Sequence, residues 1–332
     1  MHALICPEVA PTVMTCGKAT PMRFNPKADI SGGRVSDAGR GGGGGGGGPM
    51  RIPLPGGTRA GGGIGGLIII ILFVVLTQCT GLGSSGGGGG TSTQGQSQPD
   101  GIDTGDERYA NCKTGADANN DADCARKAVA VSLEQYWAKT LPEQANTQFT
   151  PATIETFAGA VETGCGQASS QVGPFYCPPD QQIYLDTTFF ADVLEGQLGG
   201  QGGDFVEPYV LGHEYGHHIQ NLLGTMGQVR TQKGADSDAV RLELQADCYA
   251  GMWTRDASDG DNILQGLDQA DIAEALDSAK AVGDDRIQQK SGQGVDPEGW
   301  THGSSEQRMA WFTRGYQEGT LEACDTFSAS SL

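Results

Sequence analysis

The sequence has 332 residues, 54 of them glycine, and a formal net charge of −19. After an apolar segment near residue 70, 37 acidic and 14 basic residues leave a net charge of −23. A surface this acidic argues against nucleic acid or an anionic membrane surface as the main binding partner, because both would repel it.

The first third of the chain lacks the composition of a folded domain. Glycine runs such as 41–48 and 86–90 carry no apolar side chains that could offset the entropy of ordering the backbone. We therefore predict a disordered, glycine-rich cytoplasmic tail over residues 1–63, and interpret residues 1–21 as a gene-model extension ahead of a start at Met22.

An uncharged apolar segment follows this tail. Residues 67–76 read LIIIILFVVL, and the segment can be extended to residues 64–82, near the ~20 residues that a spanning helix needs. A cleavable signal peptide is the alternative, although the residues after the segment make a poor cleavage site. We predict a retained transmembrane helix, and the arginines before it place the amino terminus in the cytoplasm.

This interpretation predicts a single-pass protein of the cell membrane. Residues 83–104, rich in Gly, Ser, Gln and Thr, are predicted to form a flexible linker. Residues 105–332 would then form one extracytoplasmic domain, which is long enough to bury a core.

Six cysteines follow the apolar segment: Cys112, Cys124, Cys165, Cys177, Cys248 and Cys324. An oxidising compartment would allow three disulfides. Proximity along the chain favours pairing the first with the second and the third with the fourth, which leaves the fifth with the sixth. Buried free thiols are the alternative, and the absence of a CxxC sequence argues against zinc binding by thiolates.

The domain is predicted to be α+β, mostly helical with a small sheet. Residues 182–190 (QIYLDTTFF) are rich in β-forming side chains and predict a strand that enters a turn or helix. Ser304 and Gln307 form a capping-box pattern at the start of the last helix. Helices are predicted over residues 123–141, 204–223, 238–255, 268–282 and 305–318, and in the second of them Asp204 is expected to cap the start and Gly224 to end the helix.

The second of these helices contains the sequence HEYGH. His213 and His217 are four residues apart, so both imidazoles project from one helix face and can reach one tetrahedral zinc ion. Glu214 can reach a metal-activated water without being a ligand. His218 points about 100° away around the helix and is interpreted as a packing or surface residue. A solvated polar face is the alternative, which the apolar flanks disfavour.

A hydrolytic zinc site needs a third protein ligand and one open position. The next helix carries Glu243 and Asp247 on one face among apolar neighbours, where bare carboxylates need a partner. We predict Glu243 as the third ligand, with Asp247 accepting the spare N–H of His213. The reverse assignment, with Asp247 on the metal, stays open at the level of the sequence.

Four motifs together resemble one family: HEYGHHIQ, RLELQADCYAGMW, GPFYCPPDQQIYLD and THGSSEQRMAWFTRGY. They are similar to the neutral zinc metallopeptidase family of bacterial membrane-anchored proteins, and ELQAD is also similar to the gluzincins. The resemblance implies a zincin-like fold, one Zn²⁺ ion and a peptide or protein substrate. It also implies that Glu243 binds zinc and that Asp247 supports a ligand histidine.

The resemblance extends to residues outside the metal motif. Thr-His-Gly at 301–303 is similar to the Thr-His-Pro segment of membrane gluzincins, which implies that His302 stabilises the oxyanion. A structural histidine near a helix start is the alternative. Arg308 is expected to orient substrate or to pair with an acidic neighbour. Gln182–Asp186, with Tyr184, would form an edge strand that binds an extended substrate.

These features predict a zinc-dependent metallopeptidase that hydrolyses peptide bonds through a metal-activated water, with Glu214 as general base. The alternative is a non-catalytic extracytoplasmic module that uses zinc for binding or scaffolding. Such a site would have four protein ligands and no open position. The motif by itself also fits a zinc hydrolase that acts on non-peptide bonds.

Overall fold

The computed structural model describes residues 22–40, 106–169, 172–292 and 294–332. The helices are α1 (Asp106–Tyr109), α2 (Gly115–Ala118), α3 (Ala122–Ala145), α4 (Val206–Leu223), α5 (Asp238–Gly260), α6 (Gln269–Ala281), α7 (Asp284–Lys290) and α8 (Ser305–Glu318). The strands are β1 (Arg23–Phe24), β2 (Val35–Arg40), β3 (Thr153–Ala158), β4 (Ala160–Thr163), β5 (Gly166–Ser169), β6 (Phe175–Cys177), β7 (Gln182–Asp186) and β8 (Leu264–Gln265). Helices hold more of these residues than strands, so the predicted α+β class is confirmed.

Local sequence signals explain where several helices begin and end. Gly224 ends α4 in the left-handed conformation, with φ of 73°, as predicted. Ser304 and Gln307 form the predicted capping box of α8. The start of α4 differs from the prediction, because Asp204 does not cap it. The N–H of Phe205, the residue just before the helix, donates instead to the carboxylate of Glu274 in α6 at 2.9 Å.

The main sheet has the strand order β2-β3-β7-β6. β2, β3 and β7 run parallel, and β6 is antiparallel to β7. β7 is therefore an internal strand, and the prediction that Gln182–Asp186 forms an edge strand is wrong. β6 already occupies the position beside β7 where an added strand would pair. β6 is therefore the edge strand of the sheet next to α4.

The two faces of β7 enter two different hydrophobic clusters. Ile183 and Leu185 face the main core, which includes side chains of α4. Tyr184 faces a second cluster that contains Phe175 and the Cys165 and Cys177 side chains. This alternation follows from the two-residue period of a strand.

Helices α4, α5 and α8 pack against one another and carry most of the site residues described below. Gly216, between the two histidines of the HEYGH sequence, faces α5 so closely that a Cβ there would lie 3.0 Å from the Cα of Ala246. On the other side of α5, a Cβ at Gly315 would lie 1.9 Å from the carbonyl oxygen of Cys248. These glycines allow the helix backbones to approach, which brings α4 and α5 side chains together.

Residues 22–40 belong to the folded domain. β1 pairs with β8 antiparallel, and β2 pairs with β3 in parallel. Phe24, Ala28 and Ile30 are buried in the main core. The prediction of a disordered tail is therefore wrong for residues 22–40, because hydrogen-bond and packing partners from distant parts of the chain order a segment that has few apolar side chains of its own.

No helix among the described residues is both long and apolar enough to cross a membrane. The segment on which the predicted anchor rested, residues 64–82, lies outside them. β2 and α1, on either side of it, belong to one folded unit, where Arg108 pairs with Asp37 at 3.1 Å. A single pass would put these flanks on opposite sides of a membrane, so the predicted single-pass localisation is wrong.

Removal of residues 22–40 is expected to destabilise the domain strongly. A chain that begins at Gly101 would lose the β2–β3 ladder and expose the cavities left by Phe24 and Ile30, and each such side chain stabilises by about 1.5–3 kcal/mol. We expect a loss of at least about 3 kcal/mol in the free energy of unfolding, measured by urea denaturation.

The matched control keeps residues 22–40 and replaces residues 41–105 with a short Gly-Ser linker. It should unfold at nearly the same urea concentration as the full chain, because the close approach of Asp37 and Arg108 lets a short linker join the two ends. Equal unfolding midpoints for the truncated and the linker-joined chains would contradict the role of residues 22–40.

Within the described part of the chain, three disulfides join Cys112 with Cys124, Cys165 with Cys177 and Cys248 with Cys324. These are the pairs predicted from proximity along the sequence. The third bridge ties α5 to the carboxyl-terminal segment across a sequence separation of 76 residues. It therefore closes the largest loop of the three, which in the chain-entropy account gives it the largest effect on the unfolded state.

Candidate metal centre

His213 and His217 of α4 meet Glu243 of α5 in one small space. Ligand atoms of the three side chains all lie within 4.8 Å of one another. Nε2 of His213 is 3.3 Å from Oε2 of Glu243, and Nε2 of His217 is 3.5 Å from Oε1. All three residues are buried, with exposed fractions of 5–7%. The structure thus brings together the three residues that the sequence predicted as metal ligands.

Both imidazoles are held through Nδ1. Nδ1 of His213 lies 2.8 Å from Oδ1 of Asp247, and Nδ1 of His217 lies 2.8 Å from Oε1 of Gln220. These oxygens can only accept, so each Nδ1 carries the hydrogen and each Nε2 lone pair is left for the space shared with Glu243. Asp247 therefore lies behind His213, and the alternative with Asp247 as the ligand does not match this geometry.

Asp247 is fully buried and accepts hydrogen bonds from three side chains. Nε and Nη2 of Arg308 donate to its two oxygens at 2.7 and 2.9 Å, and the Tyr209 hydroxyl donates at 2.7 Å. Burial alone would raise the pKa of Asp247, but Arg308 and then His213 hold it well below its usual range. Arg308 is 4% exposed, so of its two predicted roles the structure supports the acidic pair rather than a substrate contact.

Gln220 connects the second histidine to the rest of the core. Its amide nitrogen donates to the carbonyl of Leu242 at 2.7 Å and to Oε1 of Gln245 at 3.1 Å. Gln245 in turn donates to the carbonyl of Cys324 at 3.1 Å. Sequence reasoning did not identify Gln220 or Gln245. The available signal was their position on the metal-facing helices within apolar stretches, where a buried amide needs partners.

Glu214 is buried beside the trio and is not a member of it. Its exposed fraction is 7%, and burial raises the pKa of its carboxyl although His213 and His217 lower it. The backbone N–H of Tyr176, in edge strand β6, also lowers this pKa. A carboxylate whose pKa is raised by burial is closer to the value that a general base needs near neutral pH.

His302 lies in a loop that is organised by Asp284, the first residue of α7. One oxygen of Asp284 accepts the backbone N–H groups of Thr301, His302 and Gly303 at 2.7, 2.6 and 3.1 Å. Nδ1 of His302 is 2.9 Å from the Thr301 hydroxyl and 3.5 Å from the other oxygen of Asp284. Burial would raise the pKa of Glu243, but His217 and then His302 hold it well below its usual range. His302 therefore lies within electrostatic range of Glu243.

Sequence reasoning missed Asp284. Its signal was an acidic pair, Asp284 and Asp285, directly after Gly283 at the start of a short helix, a pattern that by itself suggests only helix capping. The loop residues that it binds are 17 to 19 positions further along the chain. Only the packing of α7 against α8 brings the two together.

Tyr184 is not brought to the metal centre. Its ring stacks on Phe175 with a centroid distance of 5.2 Å, and its hydroxyl donates to Asp180 at 2.8 Å. It lies on the face of the sheet that is opposite to α4, as the alternation along β7 requires. The prediction that Tyr184 binds substrate therefore has no support in this geometry.

The donor set fits Zn²⁺. Two imidazole nitrogens and one carboxylate are a typical protein ligand set for a zinc ion with an open position. Burial alone would lower the pKa of His213, but Asp247 and Glu243 raise it to about 10. The pocket thus favours a positive charge at this position, and a divalent cation would supply it in place of the proton.

The site thus consists of an HExxH helix and a carboxylate from a second helix. Together they form a buried His, His, Glu centre in an α+β protein. The chain matches the family described as "Putative neutral zinc metallopeptidase" over residues 23–327, and it belongs to that family. The match includes residues 23–40, in agreement with their place in the fold.

Similar proteins are known from two groups of bacteria. The chain is 50% identical over 228 residues to the uncharacterised protein Rv2575 of Mycobacterium tuberculosis, covering 67% of this chain and 76% of that protein. It is 40% identical over 210 residues to the uncharacterised protein YpfJ of Escherichia coli K12, covering 61% and 70%. No solved structure matches the chain.

Proposed function

We propose that this protein is a zinc-dependent metallopeptidase with a zincin-like site, which hydrolyses peptide bonds. The observation that carries the proposal is the convergence of His213, His217 and Glu243, with Nε2 of both imidazoles directed at the shared space and Glu214 buried beside it. Membership of the metallopeptidase family supports the same conclusion.

His213, His217 and Glu243 would hold the ion, which when bound supplies Lewis acidity toward the scissile carbonyl and the attacking water. Glu214 takes the proton from that water and passes it to the leaving amine. His302, held by Asp284, donates a hydrogen bond to the oxygen that gains negative charge.

The substrate would be an extended peptide that adds to edge strand β6, in place of the internal strand first predicted. β6 contacts α4, and its Tyr176 backbone reaches Glu214, so a peptide along this strand would pass the general base. Strand addition of this kind uses backbone hydrogen bonds and tolerates many side chains.

The catalytic unit would comprise residues 105–332, as predicted, together with residues 22–40. The three disulfides support folding in an oxidising compartment, because cytosolic reductants would keep such cysteines reduced.

Metal removal tests the proposal directly. The purified full-length protein should contain one zinc ion per molecule and cleave an unstructured protein such as casein. A chelator should abolish cleavage, and stoichiometric Zn²⁺ should restore it and raise the melting temperature, because a ligand of the folded state stabilises that state. Metal content, cleavage and calorimetry measure the three effects.

The same experiment separates the alternatives. One tightly bound zinc ion without cleavage of any peptide in a diverse library would favour a non-catalytic zinc module. Cleavage that survives complete metal removal would contradict the metal-dependent mechanism. A protein that binds no zinc would contradict the assignment of the centre itself.

A further inference from the structure

His218 is the one histidine of the HEYGHH sequence that the proposed chemistry does not use. It is fully buried, and its Nε2 donates to the carbonyl of Thr150 at 2.6 Å. Nδ1 lies 3.0 Å from the Tyr176 hydroxyl, and Nδ2 of Asn221 lies 2.9 Å from the same hydroxyl. The side chain therefore bridges α4 to the loop before β3 and to edge strand β6.

The hydrogen positions in this cluster follow from its donors and acceptors. The Thr150 carbonyl can only accept, so Nε2 of His218 carries the hydrogen. The amide nitrogen of Asn221 can only donate, so the Tyr176 hydroxyl accepts that bond and has its own hydrogen for Nδ1 of His218. The rings of Tyr215 and Phe149 lie edge-on to the imidazole, with centroids at 5.5 and 6.4 Å. The cluster is thus both hydrogen-bonded and tightly enclosed.

Tyr176 links this cluster to the metal centre. It pairs with Ile183 in the β6–β7 ladder, and its backbone N–H is close enough to Glu214 of α4 to lower the pKa of that carboxyl. Its side chain and its backbone therefore face α4 at two points, His218 and Glu214, which are four residues apart on that helix. Residues at this spacing lie one turn above the other on one face.

We propose that His218 is a positioning residue, which fixes β6 against α4 through the Tyr176 hydroxyl so that the Tyr176 N–H orients the Glu214 carboxylate. The two adjacent histidines then have different tasks, since consecutive residues of a helix point about 100° apart. His217 faces the metal trio, and His218 faces the strand. The catalytic consequence rests on the proposed function, whereas the contact between strand and helix does not.

The contact is tested in metal-free protein by amide hydrogen exchange. Tyr176→Phe removes the hydroxyl and keeps the ring, and His218→Gln keeps an N–H for Thr150 but removes the acceptor at Nδ1. In each variant the Tyr176 amide should exchange with solvent at least about fivefold faster than in the wild type, which corresponds to one lost hydrogen bond. Tyr109→Phe is the matched control, because it removes another buried hydroxyl, 2.9 Å from that of Thr156, outside the cluster. It should leave the Tyr176 amide unchanged.

The catalytic consequence is tested by kinetics of the zinc-loaded enzyme. Tyr176→Phe and His218→Gln should each lower kcat by about 10- to 100-fold, with KM and zinc content nearly unchanged, because a small displacement of a catalytic group has effects of this size. The double variant should lose little more than either single variant, since both remove the same hydrogen bond. Tyr109→Phe should keep the wild-type kcat, although it should lower the melting temperature about as much as Tyr176→Phe does.

Each outcome decides a different point. Unchanged exchange of the Tyr176 amide in both variants would overturn the positioning role of His218. Faster exchange with kcat unchanged would show that the orientation of Glu214 does not depend on the strand, which also overturns the proposal. If the wild-type enzyme cleaves no peptide, the proposed function fails, and the exchange experiment still decides whether His218 and Tyr176 fix β6 to α4.

Discussion

Glu214→Gln is expected to lower kcat by about 10³-fold or more while the zinc ion stays bound. The amide keeps the size of the side chain, and its oxygen can still face the Tyr176 N–H, but it cannot take a proton from the attacking water. General acid–base catalysis contributes about 10²–10⁴-fold, and Glu214 serves both proton transfers of the proposed mechanism. Because Glu214 is not one of the three metal ligands, zinc content should stay at one per chain.

Peptide cleavage and zinc content measured on the same preparation give the result. The matched control is Glu306→Gln, which makes the same chemical change at an exposed position in the first turn of α8. It should keep full activity. A Glu214→Gln enzyme that cleaves at the wild-type rate with zinc bound would contradict the assignment of the general base.

Arg308→Met is expected to reduce the free energy of unfolding by about 3–5 kcal/mol. The change removes the guanidinium that donates twice to Asp247, and it leaves a fully buried carboxylate without its main counter-charge. The cost comes mainly from the unpaired charge that remains, and less from the loss of the bond itself. Urea denaturation of the metal-free protein measures it without a contribution from zinc.

A second variant separates stability from metal binding. In Asp247→Asn with Arg308→Met the buried charge is gone, so part of the stability should return, with a coupling energy of about 2 kcal/mol. Zinc affinity should stay about 10- to 100-fold weaker, because Asp247 no longer holds the Nδ1 hydrogen of His213 as a carboxylate does.

The matched control for Arg308 is Arg314→Met on the same helix. Arg314 is exposed and lies over the ring of Trp311 at 5.0 Å, so its loss should cost no more than about 1 kcal/mol. Equal destabilisation by the two arginine variants would mean that the pair with Asp247 has no special energetic role.

The sequence determined the features that depend on local spacing. His213 and His217 could be placed side by side because a helix of 3.6 residues per turn fixes which side chains share a face. Capping residues gave the end of α4 at Gly224 and the start of α8 at Ser304, and short separation gave two of the disulfide pairs. Glu243 was within reach of this reasoning because a carboxylate among apolar residues needs a buried partner.

Tertiary structure alone decided the features that depend on distant contacts. Residues 22–40 have too few apolar side chains to predict order, and they are ordered because β8 and β3, more than a hundred residues away, complete their hydrogen bonds. β7 is internal because two strands flank it, which β-propensity does not encode. Asp284, Gln220 and Tyr176 have contacts on other elements that the sequence does not identify. Spacing along the chain determines which side chains share a face, whereas long-range packing determines what each face meets.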